Sequence, residues 1–330
     1  MKIIKIESLD IPESVKTILK QQNFIDLYPP QVKAIKKGVL NGKNLVLAIP
    51  TASGKTLISE LAMLKAIIEK NGKAVYLVPL RALANEKYES FKKWEEIGVK
   101  LNISTGDYDN KDPWLKNYQL IISTNEKFDS LIRHQVKWIK DISVFVFDEV
   151  HLMNDPQRGP TLEILITNVM QFVKNAQIIA LSATVKNAEQ IAEWLKASVV
   201  ISDWRPVKLN EGVYFDSSIY FSDKQEKLSK IYSDPVVDLV VDTIKNKKQA
   251  LIFADTRRSA AGLANRISKY LLKHLKISER KALESISNKI LSVGENTKIR
   301  QKLADLILKG VAFHHAGLIS GQRNLIETSF

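Results

Sequence analysis

Five short, almost wholly apolar runs, at residues 44–49, 74–78, 119–123, 143–147 and 177–181, recur through the first 200 residues with amphipathic stretches between them. A strand with one wet face alternates polar and apolar residues, whereas a strand that is apolar throughout has to be covered on both faces. That requirement selects a parallel sheet with crossover helices on its two sides, so the fold class is α/β. Residues 56–68 and 81–94 carry apolar side chains at helical spacing, and Pro12 suits the first turn of an N-terminal helix.

Residues 202–238 change character, with Pro206, Gly212, Pro235 and scattered aromatics, and read as a connection. A second α/β unit is then expected, with strands at 249–254 and 311–314. Two strands are few for such a sheet, so the second unit is expected to be incomplete. The expected division is 1–203 and 204–330, and 330 residues are enough for two cores without staples.

The chain has no cysteine, which excludes thiolate chemistry and cysteine-based zinc sites and leaves catalysis to oxygen and nitrogen groups. No apolar run reaches the roughly 18 residues that span a bilayer, and the first residues do not read as a signal peptide. The expectation is an intracellular protein without a membrane partner. Forty-nine basic against 36 acidic residues give a net charge of +13, which favours a polyanionic partner. The excess is concentrated after Asp203, where 22 basic residues meet 13 acidic ones.

The run Ile49-Pro50-Thr51-Ala52-Ser53-Gly54-Lys55-Thr56 follows a strand and opens a helix, the context of a phosphate-binding loop. Successive N–H groups at a helix start can cradle phosphate oxygens, Lys55 can reach the outer phosphates, and the Thr56 hydroxyl can ligate Mg²⁺. The strict pattern wants glycine where Ile49 stands. Asp148-Glu149-Val150-His151 leaves the carboxyl end of another strand, where open α/β sheets bind ligands. There Asp148 is expected to hold Mg²⁺ and Glu149 to orient and deprotonate a water at the terminal phosphate. His314 and His315 do not read as a metal pair, since strand neighbours face opposite sides and no nearby ligand completes a set.

With these motifs in this order, the sequence resembles the superfamily 2 DExH-box helicases, and more narrowly the archaeal Holliday-junction-migration helicases related to the Ski and Brr groups. Leu27 to Gln31 resembles the element in which Gln31 reads adenine, and Pro50 to Thr56 is similar to the family's variant phosphate loop. The box at Asp148 to His151 places His151 among the catalytic residues, and Ser182-Ala183-Thr184 resembles the element in which Ser182 and Thr184 couple hydrolysis to strand movement. Pro79 to Leu83 with Arg81, Thr105-Gly106-Asp107, and Thr124-Asn125 resemble nucleic-acid contacts. So do Thr256, Arg257 and Arg258, and His315 in the run from His314 to Leu318.

The resemblance implies two tandem RecA-like domains, ATP and Mg²⁺ as cofactors, and 3′ to 5′ translocation on single-stranded DNA. It further implies unwinding of forked or branched DNA in repair and recombination, by a monomer in the nucleoid that meets repair or recombination proteins. It also implies that the chain stops before two later motifs, one of them supplying arginines to the ATP site, so that hydrolysis by these residues is weak. The alternatives are an RNA helicase of the same superfamily and a non-catalytic, ATP-gated nucleic-acid-binding module.

Overall fold

The computed structural model describes residues 4–106, 112–228, 231–232 and 234–330. The chain divides into two compact units, Met1–Leu209 and Asn210–Phe330. The first contains seven strands, β1 (Leu45–Ala48), β2 (Lys73–Val78), β3 (Leu101–Ser104), β4 (Leu120–Thr124), β5 (Ile142–Phe147), β6 (Gln177–Ser182) and β7 (Ser198–Ile201). They form one sheet in the order β3-β4-β2-β5-β6-β1-β7. Every pairing in it is parallel, with β1 set between β6 and β7 so that Leu47 lies opposite both Leu181 and Val200.

Because side chains alternate across a strand, each apolar run feeds two cores at once. Leu45, Leu47, Tyr76, Val78, Ile122, Val146 and Leu181 pack on one face, with residues of α1 (Glu13–Gln21), α2 (Pro29–Lys36), α3 (Lys55–Lys70) and α4 (Arg81–Phe91). Val46, Val75, Leu77, Phe145, Phe147 and Ala180 pack on the other, with α5 (Asn125–Arg133), α6 (Gly159–Phe172) and α7 (Ala188–Trp194). The five expected strands are all present. The two that sequence reading missed, β3 and β7, are the sheet's edges, half exposed and only four residues long.

The first unit runs on past Asp203 because Trp204 is fastened to it. The Trp204 ring packs 4.7 Å from that of Tyr28, and its carbonyl oxygen accepts a hydrogen bond from Ser53 Oγ at 2.7 Å.

The second unit opens with an antiparallel sheet of β8 (Gly212–Phe215), β9 (Ser218–Phe221) and β10 (Gln225–Lys227), in sequence expected to be only connection. It continues with α8 (Pro235–Lys245), α9 (Arg257–Leu271), α10 (Ile277–Ser292), α11 (Lys298–Ile307) and α12 (Ser320–Ser329). The α/β class holds, but the strands expected at 249–254 and 311–314 do not form. Neither segment enters a ladder among the described residues, since a parallel strand needs neighbours and these two do not pair. Instead they line a cavity of about 720 Å³ with Ile267 and Ile326, and Phe253 is left 89% exposed.

Candidate functional site

In a parallel sheet every strand ends on the same side, so the loops leaving β1 to β7 share one rim. The loop after β1 begins with the Ile49 N–H donating to the Ser182 carbonyl at 3.2 Å, and it turns into α3 through two left-handed residues, Ala52 (φ +66°) and Gly54 (φ +81°). Thr51 and Ala52 are exposed at its tip, whereas Ser53 is buried. Among the described residues no side chain caps α3, and no acidic residue lies in its first turn. Among the described residues the Lys55 ammonium is buried without a hydrogen-bond partner. An orphaned cation beside uncapped helix N–H groups is the electrostatic complement of a phosphate chain.

Gln31 stands behind this loop and is 2% exposed. Its Oε1 accepts from the Tyr28 N–H at 2.7 Å and its Nε2 donates to the Gly54 carbonyl at 3.1 Å. One N–H and one lone pair of the amide remain for a ligand.

At the end of β5, Asp148 is held at three points. Its N–H donates to the Leu77 carbonyl at 2.8 Å, Oδ1 accepts from the Glu149 N–H at 2.9 Å, and Oδ2 accepts from the Tyr76 hydroxyl at 2.7 Å. Burial and the adjoining Asp148 carboxylate push the Tyr76 phenol well above its ordinary value, so it stays a donor. Thr56 and Asp148 together offer the oxygen donors that Mg²⁺ prefers, with lone pairs of the carboxylate still unused, so the residues present fit that ion. Glu149 has a left-handed backbone (φ +56°), the kind of strain that concentrates at working sites. His151 Nδ1 lies 3.2 Å from Glu149 Oε2, within ion-pair range but not aligned as a hydrogen bond. Further on, Asp155 Oδ1 accepts the N–H groups of Gln157 and Arg158, which hold its carboxyl below the usual range.

At the end of β6, Ser182 is buried with its hydroxyl unpartnered among the described residues, and Thr184 beyond it is exposed.

The strand order sorts the remaining candidates. Arg81 follows β2, Thr105 and Gly106 follow β3, Thr124 ends β4 and Asn125 follows it, so they share the flank opposite β1 and β6. Arg81 is exposed at the start of α4, and a Cβ on Gly106 would lie 3.1 Å from its guanidinium carbon. Asp107 lies outside the described residues. Thr124 is buried, and its hydroxyl caps α5 by accepting the Lys127 N–H. Asn125 is also buried, with Oδ1 unpartnered among the described residues. Lys127 is buried too, 3.1 Å from Asp112 Oδ2, and Asp112 accepts from Ser104 Oγ at 2.6 Å.

In the second unit the Thr256 hydroxyl caps α9, leaving Arg257 and Arg258 exposed on its first turn. A Cβ on Gly317 would lie 3.6 Å from the Arg257 guanidinium, and the Gly317 N–H donates to His315 Nδ1 at 3.1 Å, so these motifs meet. Two arginines at the positive end of a helix are unfavourable alone and suit an anion between them. His314 does have a carboxylate nearby, which sequence distance concealed: Glu327 Oε1 lies 2.7 Å from its Nε2. No helix among the described residues is long and apolar enough to cross a membrane.

Sequence reading missed Tyr76 and Trp204. A tyrosine within an apolar run carries no signal beyond core packing, and Trp204 is brought to the phosphate loop only by the fold.

Residues 28–191 match the family described as DEAD/DEAH box helicase. The chain is 49% identical over 329 residues to a protein of Thermococcus kodakarensis named ATP-dependent DNA helicase Hel308, covering 99% of this chain and 28% of that one. Proteins with the same name from Pyrococcus horikoshii and Methanocella arvoryzae are 46% and 43% identical, with 99% of this chain matched to 44% and 45% of theirs. The chain thus spans less than half the length of these relatives. Among solved structures, the DUF1998 helicase MrfA superposes with a TM-score of 0.65 at 24% identity, over 87% of this chain and 45% of that one, a likeness of fold.

Proposed function

We propose that this chain, whose residues 28–191 match the DEAD/DEAH box helicase family, is the ATP-driven motor portion of a helicase acting on DNA inside the cell. The observation that carries this reading is the buried Lys55 ammonium, unpartnered among the described residues, beside the uncapped start of α3.

Lys55 binds the outer phosphates of ATP, and Gln31 offers its remaining N–H and lone pair to the adenine edge while tying the loop to Tyr28. Thr56 and Asp148 would hold Mg²⁺, which supplies charge neutralisation to the transferring phosphoryl group. Glu149 accepts the proton of the attacking water, with His151 beside it. Ser182, the last residue of the strand next to the phosphate loop, and Thr184 just beyond it respond to what occupies that loop. Arg81, Thr105 and Asn125 grip a single-strand backbone along the other flank, with Thr256, Arg257, Arg258 and His315 as the second unit's grip. Translocation with 3′ to 5′ polarity, separation of forked or branched DNA in repair and recombination, and action as a monomer are proposed for the whole protein.

The test is ATP hydrolysis by this chain with matched single-stranded DNA and RNA oligonucleotides, beside Glu149→Gln. Turnover stimulated by DNA, less by RNA, and lost in the variant is the expected result. Turnover indifferent to both nucleic acids, or retained in Glu149→Gln, overturns the reading.

A further inference from the structure

Tyr76 is fully buried in the middle of β2, yet it ends in a hydroxyl. Its ring meets Phe91 of α4 edge-on, at 5.2 Å between centroids and 80° between planes, a contact phenylalanine would make equally well. Packing therefore explains the ring and not the oxygen. A buried hydroxyl is costly unless bonded, and this one donates to Asp148 Oδ2 at 2.7 Å with the Thr56 hydroxyl beside it. It thus touches Asp148, one of the two side chains that the nucleotide-site reading assigns to Mg²⁺.

We propose that the Tyr76 hydroxyl is a positioning group for the metal-holding carboxylate, fixing Asp148 before nucleotide and Mg²⁺ arrive. The inference rests on the nucleotide-site reading above. With Oδ1 held by the Glu149 N–H and Oδ2 by Tyr76, the carboxylate plane is set from both sides. Mg²⁺ demands near-ideal octahedral geometry, so a carboxylate free to rotate is a poorer ligand. Groups that orient metal ligands in this way are typically worth tenfold or more in metal affinity, about the size expected here.

The experiment titrates Mg²⁺ against the affinity of the 330-residue chain for non-hydrolysable, N-methylanthraniloyl-labelled AMP-PNP, read by fluorescence. Wild type, Tyr76→Phe and Asp148→Asn are compared, and the melting temperature without ligand is measured on the same samples. In Tyr76→Phe, the Mg²⁺ concentration for half-maximal tightening should rise about tenfold, with nucleotide affinity in EDTA unchanged. Asp148→Asn should lose the Mg²⁺ dependence. A Tyr76→Phe chain that melts earlier but keeps the wild-type Mg²⁺ dependence, while Asp148→Asn loses it, makes the hydroxyl merely structural and overturns the proposal with the site reading intact. Unchanged Mg²⁺ dependence in Asp148→Asn overturns the site reading, and the proposal with it.

Discussion

The Gln31 amide nitrogen donates to the Gly54 carbonyl at 3.1 Å, and a Cβ at position 54 would lie 2.0 Å from that same nitrogen. The close approach and the left-handed backbone both disfavour a side chain there. Gly54→Ala should therefore cost about 1–3 kcal/mol of stability and loosen nucleotide binding, as checked by thermal melting and nucleotide titration.

Lys55 predicts opposite signs for stability and binding. Its buried ammonium has no partner among the described residues, so Lys55→Met, which keeps the apolar stem, should stabilise the ligand-free chain by about 1 kcal/mol. The same change should weaken ATP binding tenfold to roughly a hundredfold, the worth of charged hydrogen bonds. Calorimetric melting with and without ATP reads both.

On the other flank, Arg81 and Thr124 should separate by what they change. Arg81→Ala should weaken single-stranded DNA binding without regard to sequence and reduce the slope of log affinity against log salt by about 1. Thr124→Ala removes the cap of α5 and should cost about 1 kcal/mol of stability, seen in denaturant unfolding.

Glu60 gives a pH signature. Burial raises its carboxyl above the ordinary value of 4.5, against the pull of Lys93 and of the Trp94 indole, which donates to it at 2.9 Å. The folded chain therefore binds this proton more tightly than the unfolded chain, and stability contributed here declines as pH rises above 4.5 towards the raised value. Glu60→Gln should flatten that decline and match wild type below the window, as measured by unfolding at a series of pH values.

The strands with both faces buried were legible because nothing but apolar residues will serve there. β3 and β7 were not, since an edge strand with half-exposed residues lacks that constraint. The β8–β9 hairpin was hidden because Asp216 and Ser217, both left-handed, make its turn without the usual glycine. Residues 249–254 show the converse error, an apolar run that finds no partner strand. Within the site, Lys55, Asp148 and Glu149 could be read from local pattern, whereas Tyr76 and Trp204 depend on contacts between distant segments. Thr124 was legible from its motif, whereas the capping of α5 by its hydroxyl was visible only in the fold.

The shared polarity of β1 to β7 also divides the first unit into a side that carries the candidate site and a side that does not. The turns that enter the strands from the opposite end, such as the exposed Lys174-Asn175 before β6, carry none of the candidate residues. Since the chain has no cysteine, a single one introduced at Lys174 would be its only thiol. A dye or surface tether attached there would report on the first unit, or hold it, from the side away from the candidate site.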